Sequence, residues 1–314
     1  MPPPSSPSTA AEPSRRVLLG MTWADGSALV RIRDDDEPTS TLLPAAGLRL
    51  GYRAQPSSAR RCVGHVPFRK AQGDYFDCSN TPQPGSRTCE RCSIVEATFA
   101  SNLHHAHTRG RAELDPAILD HLRQPNELYL AAFRDGSIKV GTTTAARRNK
   151  RLAEQGAWRA RIVASSTDGF AVRDIEDRVT TEYDLPQSVA IGRKLDGMVT
   201  PKADDALAAQ LDRHALEVGD LVERMDDIRL EAASVDWCSP SGTDTTWSSV
   251  HKYPLKLESG NHDLEVLSAC GRLVAIRRPG GGDIFVADLG RLYGIELEIG
   301  DFGSDELAVQ DALF

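Results

Sequence analysis

Four of the six cysteines, Cys62, Cys78, Cys89 and Cys92, fall within 31 residues, and this clustering constrains the fold more than any other feature of the chain. Cys89 and Cys92 form a C-x2-C pair in the run Thr88-Cys89-Glu90-Arg91-Cys92, just ahead of a helix expected over 90–105. Two thiolates at that spacing can bite one tetrahedral ion from a single tight turn, and Cys62 and Cys78 complete a four-thiolate set. A second set puts His65 in place of Cys78, because Cys62-Val63-Gly64-His65 is itself a C-x2-H pair. Either set is closed. Four protein ligands leave no position for water, so the zinc expected here is structural. Disulfides are not expected in a reduced cytoplasm. Cys238 and Cys270 read as lone core residues, and His104, His105 and His107 as the partly exposed end of the knuckle helix.

A chain of 314 residues is long enough for two domains, and 40% hydrophobic with 26% charged residues describes an ordinary globular protein. No stretch approaches the roughly 18 apolar residues of a membrane span, so no membrane partner is expected. Residues 1–16 read as a disordered tail rich in Pro and Ser. They lack the basic start and apolar run of a signal peptide, which points to the cytoplasm.

The net charge of −8 argues against a general nucleic-acid coat protein, yet it hides strong asymmetry. Arg49, Arg53, Arg60, Arg61, Arg69 and Lys70 fall in one segment without an acid. Residues 134–161 carry eight basic residues against Asp135 and Glu154, and residues 204–231 carry nine acids against three arginines. Two basic segments beside an acidic helix suggest localised anion binding.

Residues 17–51 alternate apolar and polar side chains around turn signals, and read as short antiparallel strands. Residues 127–133 are a strand, Arg134-Asp135-Gly136 a turn, and 137–140 the start of a second strand. Gly141 and three threonines lead into a helix over 145–154, with a threonine expected to cap its first N–H groups. A third strand over 159–165 and a helix over 171–183 follow. Leu207, Leu211, Ala215, Val218, Val222, Met225 and Ile228 give a long amphipathic helix over 202–233. The remainder reads as strands.

Residues 126–185 resemble, in order and spacing, the catalytic unit of the GIY-YIG nuclease superfamily. Leu128-Tyr129-Leu130 stands where the GIY triplet would be. Lys139-Val140-Gly141 stands in place of YIG, as in the subgroup with Lys-Val-Gly or Lys-Ile-Gly. Gly141-Thr142-Thr143 resembles the Gly-x-Thr that follows, Arg151-Leu152 the Arg-Leu of the helix, and Glu176 the metal-binding Glu. Arg147 and Arg148 lie one turn before Arg151, and Arg148 competes with Arg151 for the arginine role. The whole also resembles an uncharacterised bacterial family that joins an N-terminal four-cysteine zinc region, such a unit and a C-terminal β region.

The resemblance implies a small three-stranded antiparallel sheet with flanking helices and hydrolysis of phosphodiesters. Tyr129 would orient water, Arg151 would clamp phosphate and Glu176 would hold one Mg²⁺. Lys139 would contact phosphate, since an amine near its ordinary pKa is a poor base unless desolvated. Gly141, Thr143 and Arg147, with Arg60 and Arg61 of the first basic segment, would contact substrate. The chain is therefore expected to be α+β. Tail 1–16 precedes a β/zinc-binding module (17–112), a GIY-YIG-like domain (113–200), an amphipathic helix (201–235) and a small β module (236–314). The expected function is a Mg²⁺-dependent endonuclease with structural Zn²⁺, acting on DNA before RNA. Two other readings stand beside it: a non-catalytic nucleic-acid-binding or regulatory protein on the same scaffold, and a protein-interaction scaffold.

Overall fold

Residues 14–34, 37–66, 75–108, 111–225, 227 and 229–306 are described by a computed structural model of the chain. The tail through Pro13, Arg69, Lys70 and Ile228 lie outside the described residues. In chain order the elements are β1 (Ser14–Ala24), β2 (Ser27–Asp34), β3 (Thr41–Pro44), β4 (Arg49–Ala54), α1 (Glu90–His104), α2 (Pro116–Leu122), β5 (Asn126–Ala132) and β6 (Ile138–Thr144). Then come α3 (Arg148–Glu154), β7 (Arg159–Ser166), α4 (Gly169–Tyr183), α5 (Ile191–Val199), α6 (Asp204–Arg224) and β8 (Leu230–Cys238). The last are β9 (His251–Lys252), β10 (Gly260–Cys270), β11 (Leu273–Arg277), β12 (Ile284–Asp288) and β13 (Glu296–Ile299).

The fold is mixed α+β. Among the described residues the strands form two sheets, one of nine and one of four strands. The larger has the order β3-β2-β1-β13-β4-β10-β11-β12-β9. Its first hairpin turns on Asp25 and Gly26, both at positive φ, as a two-residue turn matched to strand twist requires. β13 lies between β1 and β4, so the β segments from the two ends of the chain, read above as separate modules, share one sheet and one core around Trp23, Tyr52, Leu264 and Leu297.

The smaller sheet has the order β6-β5-β7-β8. All seven residues of β5 are buried, as expected for a strand covered on both faces. Leu128 and Leu130 face α4 and α6, while Tyr129, Ala131 and Phe133 pack with Leu152 of α3. The expected helix over 202–233 ends at Arg224, and its supposed C-terminal part is the edge strand β8 paired with β7. Asp227 makes the break: its side chain accepts from Arg229 N and its carbonyl from Leu230 N. Met225 packs on the core as expected, but as the residue ending the helix.

The charge asymmetry resolves largely into pairs. Arg159 meets Asp204 of α6, and Arg161 meets Asp212 of α6 and Asp236 of β8. In the first basic segment, Arg49, Arg53 and Arg61 pair with Asp263, Glu298 and Glu296. No helix among the described residues is long and apolar enough to cross a membrane.

Candidate active site

The four-cysteine expectation has a structural counterpart. The Sγ atoms of Cys62, Cys78, Cys89 and Cys92 lie within 4.8 Å of one another and all four residues are buried, so the group can hold a metal ion such as zinc. A tetrahedron with Zn–S bonds of about 2.3 Å has sulfurs roughly 3.8 Å apart, and Cys78 and Cys89 stand at 3.8 Å. The backbone N–H groups of Gly64 and Cys89 point at Cys62 Sγ, at 3.4 and 3.2 Å, as donors that stabilise a thiolate. His65 lies outside the set: its Nδ1 sits 3.2 Å from Cys92 Sγ, where it acts on a ligand and does not replace Cys78. Four thiolates around a dication leave a charge of −2. The buried guanidiniums of Arg31 and Arg33, from β2, bond Val63 O and Cys78 O beside the site. Cys270 is buried as expected, whereas Cys238 is exposed because it ends an edge strand.

Helix α1 runs from this knuckle towards a cavity of about 430 Å³ beside the four-stranded sheet, and Leu103 of α1 forms part of its wall. The cavity lies at β6, the edge strand of the four-stranded sheet, where side chains from both faces can meet. Tyr129, Lys139, Gly141 and Thr143 enter from β5 and β6, Arg147 and Arg151 from the α3 side, and Glu176 from α4.

Tyr129 stands opposite Gly141 in the ladder. A Cβ at position 141 would come within 2.5 Å of the phenol Cζ and oxygen, so the ring lies in space that only glycine leaves. Its hydroxyl donates to Gln155 Oε1 at 3.2 Å, and burial pushes its pKa up, so it stays a phenol. Lys139 is only 5% exposed. Its Nζ donates to Gln187 O at 3.0 Å and lies 5.5 Å from the centre of the Tyr129 ring. Burial, and then the Arg151 and Lys194 charges, lower its pKa to about 7. The amine is thus desolvated, the condition under which lysine becomes a base at neutral pH.

Glu176 is buried and accepts from Thr142 Oγ1 at 3.3 Å. The competition between the two arginines is decided by β5. Arg148 turns to the buried Glu127, with Nε at 2.8 Å and a second, shorter contact, while Arg151 lines the cavity. Arg147 lines it too and reaches Glu154 at 3.6 Å. Thr143 donates to Thr144 O. The expected threonine cap is absent, because Thr144 occupies the N-cap position without a side-chain capping bond. Arg60 and Arg61 do not line the cavity. Arg60 bridges Ile295 and Arg61 pairs with Glu296, so both belong to the seam between the cysteine loop and the β13 region.

Sequence reasoning missed His121, Arg173 and Gln187, which also line the cavity. Arg173 precedes Glu176 by one helical turn, a spacing that places both on one face and was readable. His121 and Gln187 carried no such signal. Burial, with Arg173 and Arg147 nearby, lowers the His121 pKa to about 4, so its imidazole is neutral at pH 7.

A family model described as "Protein of unknown function (DUF2797)" matches residues 59–279. The chain belongs to the DUF2797 family. No curated protein and no solved structure matches it. The DUF2797 match takes in the four cysteines and every residue named above as lining the cavity. In this DUF2797 chain the two candidate centres are therefore parts of one family unit, joined by α1.

Proposed function

We propose that this DUF2797 protein is a Mg²⁺-dependent nuclease on a GIY-YIG-like scaffold, with zinc in the four-cysteine site and DNA as the first candidate substrate. The observation that carries the reading is the meeting of Tyr129, Lys139, Arg151 and Glu176 in one cavity. Glu176 is the one carboxylate lining that cavity among the described residues, with the Thr142 hydroxyl beside it. Hard oxygen donors suit Mg²⁺, which commonly takes one or two carboxylates and completes its shell with water and phosphate. Such an ion, when bound, holds phosphate oxygens and offsets charge developing on them.

The chain's own groups supply the rest. Lys139 is the proton acceptor, because its amine is desolvated and near neutrality at pH 7, while the phenol of Tyr129 is not. Tyr129 is held by Gln155 and orients the attacking water. Arg151 lies beside Tyr129 and Lys139 and places a guanidinium on the phosphate. The neutral His121 adds no further positive charge to the cavity that Lys139, Arg147, Arg151 and Arg173 line.

The test incubates metal-replete protein with labelled single- and double-stranded DNA and RNA, with and without Mg²⁺. Cleavage is expected with Mg²⁺ and is expected to fall by about 10²–10³-fold in Glu176→Gln and Arg151→Gln. Arg148→Met, whose side chain serves Glu127, should retain most of it. Equal turnover by Glu176→Gln would sink the assignment. Salt-dependent binding without turnover under any metal would leave a binding protein on the same scaffold.

A further inference from the structure

We infer that the cavity contains a second phosphate subsite, formed by Thr144, Arg147 and Arg173, which takes the phosphate adjoining the one engaged by Arg151. The inference rests on the nuclease reading and narrows its substrate to a backbone carrying at least two consecutive phosphates.

Thr144 gives the first argument. It lines the cavity and is 3% exposed, yet its hydroxyl has no hydrogen-bond partner among the described residues. It occupies an N-cap position without capping. Buried hydroxyls are normally satisfied, and an acceptor on a ligand seated against Thr144 would satisfy this one. Arg147 adds a second orphan: its Nε is buried without an acceptor although its NH2 reaches Glu154. A phosphate oxygen, which only accepts, suits both donors.

Charge gives the second argument. Arg173 is 5% exposed, and its guanidinium donates to Gly169 O at 2.7 Å. Its opposite charge in the cavity is Glu176. Once Glu176 serves a dication, Arg173 needs another anion, because a buried guanidinium without one is strongly disfavoured. Arg147 is partly offset by Glu154. Arg151, Arg173 and the dication then carry four positive charges against the one carboxylate of Glu176. One phosphodiester, with a single negative charge, leaves this surplus largely in place.

The test measures binding by calorimetry in Ca²⁺, so that turnover is not needed. The probes are a thymidine dinucleotide and the same dinucleotide carrying an additional 5′ or 3′ phosphate. The added phosphate at one end should tighten binding by about tenfold or more. That ratio should fall to about one in Thr144→Val and in Arg173→Gln, and persist in Arg60→Gln. Thr144→Val keeps the side-chain shape and removes a hydroxyl with no partner among the described residues, so its melting temperature should equal or exceed that of the parent. No gain at either end, a gain that survives Thr144→Val, or no binding of any probe overturns the subsite. A gain without cleavage of any substrate keeps the subsite and removes the nuclease reading. Cleavage without a gain does the reverse.

Discussion

Replacing Lys139 by methionine should stabilise the protein while removing the proton acceptor proposed above. The amine ordinarily loses its proton near 10.5 but does so at about 7 in the folded chain, chiefly through burial. At pH 7 the unfolded chain therefore holds this proton almost fully and the folded chain holds it about half the time. Folding at that pH works against the uptake of the proton, at a cost of about 4 kcal/mol, since each pH unit between the two values is worth about 1.4 kcal/mol. As pH rises towards 10.5 the unfolded chain loses its proton too, and the cost falls to about 2 kcal/mol at pH 9. Methionine also forfeits the Nζ bond to Gln187 O, a loss of about 1 kcal/mol. The expected net gain for Lys139→Met is thus about 3 kcal/mol at pH 7 and about 1 kcal/mol at pH 9. Urea unfolding of both proteins at pH 6, 7 and 9 measures it. A difference that stays flat with pH, or a variant less stable at pH 7, would refute the claim that Lys139 is a desolvated amine. The stability given up by burying this amine is the counterpart of the role proposed for it.

Further outcomes follow from the geometry. Native mass spectrometry should find one zinc per chain, lost in Cys92→Ser. Chelation should raise hydrogen exchange over 62–66 and 75–92 and in β2, because Arg31 and Arg33 pack against this loop; unchanged exchange and melting after metal removal would exclude a structural role. Gly141→Ala should cost about 1–3 kcal/mol by overpacking against the Tyr129 ring, where the new Cβ would meet it at 2.5 Å. In a double-mutant cycle, Tyr129→Leu should recover most of that loss, and strictly additive effects would contradict the contact.

What was legible in the sequence was local. The β5–β6 hairpin, with Tyr129 facing Gly141 and Lys139 two residues before it, follows from a strand period of two across a short turn. The knuckle at Cys89 and Cys92 was equally plain. What stayed hidden depends on contacts across long separations. Arg148 and Arg151 lie on one short helix, and only Glu127 on β5 decides which of them leaves the cavity. The segment Leu230–Cys238 is rich in helix-compatible residues and becomes a strand through its ladder with β7. The first basic segment looked like a phosphate-binding surface because its acids, Asp263, Glu296 and Glu298, lie more than two hundred residues away. The missing cap at Thr144 was not readable either, since a threonine before a helix ordinarily caps it.

The place of β13 between β1 and β4 also sets an order of events during synthesis. β1 to β4 leave the ribosome long before β10 and β13, which flank β4, have been made. Until then β4 has two open edges, and Leu50 and Tyr52 lack the partners that bury them. The β5–β8 sheet, whose strands pair over shorter separations in sequence, can settle first. The nascent chain then holds its four-stranded sheet before the nine-stranded one is complete, and its period of greatest exposure to misassociation ends when Glu296–Ile299 docks.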